Sequence, residues 1–328
     1  MPVCNEERFL AQTLASIQTQ TYPHERLRLI IVDNRSDDRS AAIAREWAAV
    51  ADIAVEILSN SVRSIPKSLN VAITRVASDE IVVRLDSHTR YGPDYVAAIV
   101  DGFARHATDV GCIGGALVPE AGRTFATQLV AALYTNPFGL GGAPFRRATS
   151  ERFVRDVYLG AWRPGVVQAV GAFDEAWAAN EDSELAARVC AAGFRILWIP
   201  LDSQYHIKRG PIATIKQWGK YGFWRAQTAA KHPTEVRLRH VIAPVALGAA
   251  IACLVTKALR PGAIALYAAY VVAVWSHRSR MTPPLVAAAA CVYFPACQVA
   301  WTAGLLGGAA AFAARSVLAR TGSKGPRV

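Results

Sequence analysis

The sequence has few charged residues and little cysteine for its length. Of its 328 residues, 19% are charged, 52% are hydrophobic and six are cysteines. This composition excludes a disordered protein, a collagen-like fibre and a small domain held together by disulfides. The length allows one large domain or two small ones. No two cysteines form a C-x-x-C pair, so we expect all six to be reduced, as isolated buried cysteines usually are.

Two phosphate-binding fingerprints are missing. No G-x-G-x-x-G sequence follows an apolar run and no Walker A loop occurs, which disfavours nicotinamide-dependent enzymes and P-loop nucleotide triphosphatases. No charged-then-apolar segment opens the chain, so we expect no signal peptide. Acidic residues are the minority, since 36 basic residues against 25 acidic ones give a net charge of +11. That excess fits nucleic acid, a membrane surface or anionic small molecules.

Residues 1–240 alternate between short apolar runs and stretches with helical periodicity. Strands are predicted at residues 28–33, 53–58, 80–86, 110–118 and 195–199, and helices at residues 5–20, 66–77, 93–106 and 181–192. This alternation predicts an α/β fold, doubly wound around a mostly parallel sheet. Ligands of such sheets bind beyond the carboxyl ends of the strands, which directs attention to the acids Asp33 and Asp86.

The C-terminal part of the chain is almost free of charge over three runs, at residues 241–256, 263–275 and 285–314. A membrane-spanning helix needs about 20 apolar residues. The first two runs are shorter than that, and the third is longer and contains Pro295, where it could bend. Helices without a polar face favour a membrane over the alternative of a buried helical subdomain. Basic residues flank every run, so the topology stays open.

The strongest local feature is the run IVVRLDSHTRY at residues 81–91, in which an apolar strand delivers Asp86 and His88. Two residues apart in an extended turn, an acid and an imidazole point to the same side. They could share one Mg²⁺ or Mn²⁺, with water and phosphate oxygens as the remaining ligands. The alternative is a strand end followed by a solvated turn.

Acids also gather at the start of the predicted helix 181–192, where Glu181, Asp182 and Glu184 stand. Acids are stabilised there by the helix dipole, which is a purely structural explanation. The functional alternative is that one of them is a general base, which takes a proton from an attacking hydroxyl.

Cations and aromatic residues interleave at residues 216–233, KQWGKYGFWRAQTAAKHP, just before the first apolar run. This pattern is typical of a helix at a membrane interface. It would also suit capture of a diphosphate. Nucleic-acid binding is disfavoured by the neighbouring apolar segments.

Taken together, these features resemble the family 2 inverting glycosyltransferases, which have a GT-A fold. The likeness is strongest to the membrane-anchored subgroup of succinoglycan and related exopolysaccharide synthesis. It runs through PVCNEE at 2–7, VDNRSDD at 32–38, SIPKSLNVAI at 64–73, VRLDSH at 83–88, GG at 114–115, VGAFDE at 170–175, NEDSEL at 180–185 and QWGKYG at 217–222.

The resemblance implies a donor site at the strand ends. Asp33 would contact the base, uracil in a UDP-hexose, and Asp86 with His88 would occupy the family's D-x-D position and hold the divalent metal, Mn²⁺ or Mg²⁺. The other implied nucleotide-binding residues are Pro2, Asn5, Glu6, Lys67, Asn70 and Arg225. The family's first strand carries apolar residues before its proline, and here only Met1 precedes Pro2, so we expect that strand to be very short.

On the acceptor side, the resemblance implies that Asp182 is the catalytic base. Glu181, Gln217 and Trp218 fall where related enzymes bind the acceptor or the diphosphate. Processive relatives carry a Q-x-x-R-W motif, of which only Gln217-Trp218 is recognisable. That difference favours transfer of a single sugar over polymerisation.

The predicted organisation is a GT-A domain at 1–215, an interface helix at 216–240, transmembrane helices at 241–316 and a basic tail at 317–328. We expect an enzyme of the cytoplasmic membrane with its catalytic domain in the cytoplasm. Its partners would be a nucleotide-sugar donor, a lipid-linked saccharide acceptor and other polysaccharide-assembly proteins, and not nucleic acid. The alternatives are a polyprenyl-phosphate sugar synthase and a non-catalytic nucleotide-sugar-binding scaffold.

Overall fold

The structure is a computed structural model that describes residues 1–141 and 148–322. Its contacts divide the chain into two compact units. The first comprises Met1–Gly122 and Gly142–Ile207, and the second comprises Arg123–Gly141 and Lys208–Val328. Residues 123–141 therefore pack with the C-terminal helices, although they lie inside the predicted domain 1–215. Of the predicted basic tail, residues 323–328 lie outside the described residues.

The first unit contains all the strands found in residues 1–141 and 148–322. In chain order they are β1 (Pro2–Val3), β2 (Arg28–Asp33), β3 (Ala54–Ser59), β4 (Val82–Val83), β5 (Thr89–Tyr91), β6 (Val110–Gly115), β7 (Val118–Glu120), β8 (Arg152–Val154), β9 (Tyr158–Trp162), β10 (Arg195–Trp198) and β11 (Ser203–His206). They form a parallel sheet in the order β1-β2-β3, a five-stranded sheet in the order β4-β9-β6-β10-β8 and a three-stranded sheet in the order β5-β11-β7.

Helices connect and cover these strands. In chain order the α-helices are α1 (Leu10–Gln18), α2 (Ser40–Ala48), α3 (Ile65–Ile73), α4 (Tyr95–Arg105), α5 (Phe125–Thr135), α6 (Val166–Ala169), α7 (Glu181–Ala191), α8 (Pro211–Lys231), α9 (Leu238–Val255), α10 (Arg260–Ser276) and α11 (Pro284–Gly322). Helices α5 and α8 to α11 belong to the second unit. The α/β architecture predicted from the sequence is confirmed.

The sheets are mixed rather than mostly parallel. The first sheet is wholly parallel, but β9 runs antiparallel to both of its neighbours, β4 and β6. Sequence periodicity missed β8 and β9 because each is only three to five residues long. The predicted strand 80–86 is also reduced to Val82–Val83. The chain leaves the sheet there, and the residues that follow turn towards the site described below.

Helical periodicity accounts for the core of the first unit. Helix α1 buries Leu10, Leu14 and Ile17, which recur on one face, while α7 buries Leu185 and Val189. Each such side chain stabilises the fold by about 1.5–3 kcal/mol relative to its exposed state. Helix α1 begins at Leu10 instead of residue 5 as predicted. The cause is local, because the backbone of Asn5 has a φ of 54° and forms a turn.

In the second unit, α8 packs against α11 at glycines. A methyl group placed on Gly304 would lie 1.9 Å from the carbonyl oxygen of Gly219, and one on Gly222 would lie 2.0 Å from that of Trp301. The two backbones therefore approach each other more closely than any larger side chain permits. Helix α11 continues through Pro295 without a break.

Two helical segments of the second unit are long and apolar enough to cross a membrane: Lys257–Ser276 and Pro284–Val317. A third apolar segment, His240–Val255, is shorter. Large apolar side chains on α9 and α10 are exposed, among them Val241, Ile242, Val245, Ile251, Leu254, Val255, Ile264, Leu266 and Val272. Membrane association is consistent with these helices, and the number of crossings stays a prediction.

Candidate active site

Arg84 lies at the centre of a cluster of acids in the first unit. Its Nη2 is 3.2 Å from Glu181 Oε1 and 3.6 Å from Asp86 Oδ1, and its Nη1 donates to Asp182 Oδ1. The Arg84 side chain is only 6% exposed. The fold thus brings the acid that follows β4 next to the two acids that begin α7, almost 100 positions later in the chain.

Helix α7 is anchored at its first two turns. Ser183 Oγ donates to Asp156 Oδ2 at 2.6 Å. The fully buried Glu184 accepts from Arg188 at 2.7 Å, and the Arg188 guanidinium also donates to the backbone carbonyl of Ala172 at 2.6 Å. These bonds hold the start of the helix, where its dipole favours carboxylates.

The cluster has more negative than positive charge. One guanidinium faces three carboxylates, those of Asp86, Glu181 and Asp182. Burial raises the pKa of Asp182 to about 8, although the charge of Arg84 lowers it, and the neighbouring carboxylates raise it further. A carboxyl group with a pKa near neutrality is well suited to accept a proton during a reaction.

Two tyrosines hold Asp86. The Tyr91 hydroxyl accepts from the Asp86 backbone N–H at 2.7 Å and donates to its carbonyl oxygen at 3.1 Å. The Tyr158 hydroxyl, which lies 3.0 Å from Thr89 Oγ1, donates to Asp86 Oδ2 at 3.1 Å. Burial raises the pKa of Tyr158, so its hydroxyl stays protonated at neutral pH. Tyr158, which no sequence motif indicated, therefore orients the Asp86 carboxylate, while Tyr91 holds its backbone.

His88 is placed beside a second carboxylate. Its Nδ1 is 3.2 Å from Glu6 Oε1, and its ring packs edge-on against Tyr205 with centroids 4.9 Å apart. Tyr205 in turn contacts Tyr158, the tyrosine that holds Asp86, at 6.3 Å between centroids. Among the described residues, His88 Nδ1 has no hydrogen-bond partner, so the Glu6 carboxylate contributes negative charge beside the ring and the orientation of the ring rests on its packing against Tyr205.

The chemistry of Asp86 and His88 fits a divalent cation. A carboxylate oxygen and an imidazole nitrogen suit Mn²⁺ or Mg²⁺, and the excess negative charge around Arg84 favours a cation nearby. Within residues 1–141 and 148–322, no group of three or more His, Cys, Asp or Glu side chains could hold a metal. A cation at Asp86 and His88 would therefore need phosphate oxygens or water for its remaining ligands.

The ends of β1 and β2 bring together three of the predicted nucleotide-binding residues, Pro2, Asn5 and Asp33. Pro2 lies in β1, and the Asn5 side chain accepts from the backbone N–H of Asp37 at 2.8 Å. Asp33 ends β2, and its Oδ1 accepts from the backbone N–H of Ser36 at 3.3 Å. The two loops that follow the paired strands are thus linked by hydrogen bonds, as neighbours in one parallel sheet.

The predicted nucleotide-binding residues of α3, Lys67 and Asn70, contact the loop after α6. The Asn70 side chain donates to Phe173 O at 2.9 Å and accepts from Phe173 N at 2.9 Å, and it also donates to Glu175 at 3.1 Å. Lys67 Nζ is 3.9 Å from Glu175 Oε2. Asn70 therefore fixes the loop after α6 in this structure, and the roles of both residues at the nucleotide stay predictions.

The remaining predicted residues lie on α8, in the second unit. Trp218 is buried and packs on Tyr134 and Tyr221, with ring centroids 6.0 and 4.9 Å apart. Gln217 Nε2 donates to the Tyr221 hydroxyl. Arg225 lies two turns further along the same helix. Their roles at an acceptor or a diphosphate stay predictions.

The α/β domain carries an acid and an imidazole shortly after β4, and the acids that begin α7 lie next to that acid, an arrangement that we expect of a glycosyltransferase that uses nucleotide sugars. Family models agree with that class: the glycosyl transferase family 2 model matches residues 1–146, and the glycosyl transferase family group 2 model matches residues 81–305. The chain therefore belongs to the family 2 group of glycosyltransferases.

Two relatives cover most of the chain. The succinoglycan biosynthesis protein ExoA of Rhizobium meliloti (strain 1021) is 28% identical over 93% of this chain and 92% of its own length. A dolichyl N-acetyl-alpha-D-glucosaminyl phosphate 3-beta-D-2,3-diacetamido-2,3-dideoxy-beta-D-glucuronosyltransferase of Methanococcus voltae is 21% identical over 68% of this chain and 70% of its own length.

A solved structure shows the same fold. The mannosyltransferase PcManGT from Pyrobaculum calidifontis, in complex with GDP-Man and Mn²⁺, matches with a TM-score of 0.56 at 22% identity, over 94% of this chain and 85% of its own. TarS 1-349 of S. aureus, in complex with UDP-GlcNAc, matches with a TM-score of 0.50 at 14% identity, over 93% and 88%. These likenesses show a GT-A-like fold.

Proposed function

We propose that this enzyme transfers a single sugar from a nucleotide diphosphate donor, a UDP-hexose, to a lipid-linked saccharide, with inversion at the anomeric carbon. The observation that carries the proposal is the cluster around Arg84. It places an acid suited to a metal and a diphosphate, Asp86, near an acid suited to proton transfer, Asp182. An inverting transfer needs these two functions on opposite sides of one sugar.

Residues at the ends of the strands would bind the nucleotide-sugar donor. Asp33, Asn5 and Glu6 would line the nucleotide, and Asp86 and His88 would hold a divalent cation. When bound, that cation supplies positive charge that stabilises the departing diphosphate. The Glu6 carboxylate lies 3.2 Å from His88 Nδ1 and adds negative charge beside that imidazole. The GDP-Man and Mn²⁺ bound to the mannosyltransferase structure support a metal-dependent donor site of this kind.

Residues at the start of α7 would act on the acceptor. Asp182 would take the proton from an acceptor hydroxyl as its oxygen attacks the anomeric carbon. One base and no covalent sugar–enzyme bond give inversion, by the same geometry as in inverting glycosidases. A raised pKa suits this role, because a stronger base removes a hydroxyl proton more readily once it is ionised.

The acceptor proposal rests on the second unit and on the relatives. Two segments long enough to span a membrane, together with the cations and aromatics of α8, suit an enzyme of the cytoplasmic membrane that crosses it more than once with its catalytic unit in the cytoplasm. One relative acts on a dolichyl-phosphate-linked sugar, and another belongs to succinoglycan biosynthesis. A membrane-held enzyme meets a lipid-linked acceptor at high local concentration.

A donor screen tests this proposal. Membranes that contain the full chain are incubated with a lipid extract, Mn²⁺ and individual UDP- or GDP-sugars, and the lipid products are identified by mass and by linkage analysis. The expected product is a lipid-linked oligosaccharide longer by one sugar, with inverted configuration. A product in which the sugar is joined directly to a lipid monophosphate would identify a sugar–phosphate synthase instead. Donor binding with no transfer in any combination would contradict catalysis.

The base is tested by Asp182→Asn. We expect turnover to fall by about 10²-fold or more, the usual share of acid–base catalysis, with donor affinity retained. Asp101→Asn is the matched control, because Asp101 lies exposed on α4 in an i,i+4 ion pair with Arg105. Near wild-type transfer by the Asp182 variant would remove that residue from the role of base.

A further inference from the structure

We propose that Arg84 is a positioning residue: it fixes the carboxylate of Asp182 relative to Asp86 and acts on turnover through Asp182, without itself binding either substrate. The proposal rests on the proposed function, because it takes Asp182 as the base. Neither the D-x-H pattern nor the acids of α7 indicates such a residue, since Arg84 comes directly after β4, before Asp86 and far from α7 in the sequence.

The first argument is the lack of other support for Asp182. Among the described residues, Arg84 is the only side chain that donates a hydrogen bond to its carboxylate. The bonds that anchor α7 come from Ser183 and Glu184, so they hold the helix and not the Asp182 side chain. Without Arg84, the Asp182 side chain would be free to choose among its rotamers.

The second argument is the separate support of Asp86. Tyr91 holds its backbone and Tyr158 holds its carboxylate, whereas Arg84 only approaches it at 3.6 Å. Loss of Arg84 should therefore leave the donor side ordered and disturb the acceptor side. This difference separates a positioning role on the base from a role in donor binding.

The third argument is the shape of the arginine side chain. Its two terminal nitrogens are used separately, with Nη1 on Asp182 and Nη2 between Glu181 and Asp86. A planar fork can direct two nitrogens to fixed positions, whereas a lysine ammonium is a single point charge. The Arg84 backbone is itself fixed, because its N–H donates to Gly160 O in β9 at 3.2 Å.

A double-mutant cycle on turnover tests the proposal. The variants are Arg84→Gln, Arg84→Lys, Asp182→Asn and the double variant Arg84→Gln with Asp182→Asn. Displacement of a catalytic group by about 1 Å can cost about 10²-fold in rate, so we expect Arg84→Gln to lower kcat by about 10- to 100-fold. The KM for the donor, and the Kd for UDP with Mn²⁺ measured by calorimetry, should stay within about threefold of wild type.

The decisive result is the behaviour of the pair. If Arg84 acts through Asp182, replacing Arg84 should lower kcat little further in a variant that already lacks the Asp182 carboxylate. The reason is that the effects of residues that act as a unit are not additive. We expect the double variant to turn over within about threefold of Asp182→Asn alone. Effects that multiply, or a weakened UDP affinity in Arg84→Gln, would overturn the proposal.

A control variant and a substitute for Arg84→Gln keep the test decisive. Arg163→Gln is the control for loss of a partly buried arginine, because Arg163 donates to the backbone carbonyls of Phe103 and Val110 and to none of the acids of the cluster. If Arg84→Gln does not fold, as judged by its melting curve, the cycle is run with Arg84→Lys, for which we expect folding and a partial loss of kcat. Failure of the wild-type enzyme to transfer sugar would refute the proposed function; multiplying effects in an active enzyme would refute only the role of Arg84.

Discussion

Replacing Tyr158 with phenylalanine removes a single oxygen from the candidate metal site. The lost hydroxyl donates to Asp86 Oδ2 at 3.1 Å and lies 3.0 Å from Thr89 Oγ1. The ring keeps its contact with Tyr205, whose centroid is 6.3 Å away. The change therefore tests the hydrogen bond to the carboxylate and leaves the packing of the aromatic residues in place.

The expected magnitude follows from the charge of the acceptor. A hydrogen bond to a charged group contributes about 1.5–3 kcal/mol, and loss of a partner that orients a metal ligand typically weakens metal affinity by about 10- to 100-fold. Asp86 keeps its backbone bonds to Tyr91 and its approach to Arg84. We therefore expect a loss of about 10-fold, at the lower end of that range.

The assay is calorimetric titration of UDP with and without Mn²⁺. In Tyr158→Phe the Mn²⁺-dependent affinity should fall by about 10-fold, while the affinity measured in EDTA should not change. Asp86→Ala gives the lower limit of the Mn²⁺-dependent affinity, because it removes the carboxylate itself. Tyr95→Phe is the matched control, because Tyr95 is also buried, at 3% exposure, and its ring packs on Tyr91. Equal Mn²⁺-dependent affinities in wild type and Tyr158→Phe would refute the view that this hydroxyl prepares Asp86 for a cation.

Two other predictions concern pH and helix packing. Burial raises the pKa of Asp182 to about 8, although the charge of Arg84 lowers it. Because a base must be ionised to accept a proton, the transfer rate should fall as the pH drops below about 8. A transfer rate that is flat between about pH 6 and 9 would contradict this prediction. In the second unit, Gly304→Ala places a methyl group 1.9 Å from a backbone oxygen of α8, whereas Gly307→Ala meets nothing within 4 Å. Overpacking costs about 1–3 kcal/mol, so only Gly304→Ala should lower the melting temperature of the enzyme, and equal melting curves would argue against the close packing of α8 on α11.

Local features of the site could be predicted from the sequence where they depend on near neighbours. The strand predicted at 28–33 is β2, and the helix predicted at 181–192 is α7, which ends one residue earlier. Gly193, two residues after the end of this helix, has a φ of 90°, a backbone conformation that favours glycine. These elements follow from periodicity, turn chemistry and the placing of acids within one segment, which are all properties of short stretches of chain.

Side-chain partnerships could not be predicted in the same way. Asn70 matches a family motif for the nucleotide, but in the fold its amide is bound to Phe173 in a loop 103 residues away. The strands β8 and β9 were missed, and with them Tyr158, the residue that orients Asp86. Short antiparallel strands carry too few residues for their alternation to stand out.

The sequence by itself determined where β2 ends and α7 begins, and therefore that acids stand at both places. Local periodicity and capping, which define these positions, act within about ten residues. Only the tertiary structure decided that Arg84 meets Asp182 across 98 positions of chain. Such a pairing depends on the order and register of strands from distant segments, and a shift of one residue would turn each side chain to the opposite face of its sheet. The acids of the candidate site could be identified from the sequence alone. Their distances and contacts depend on how the sheets assemble.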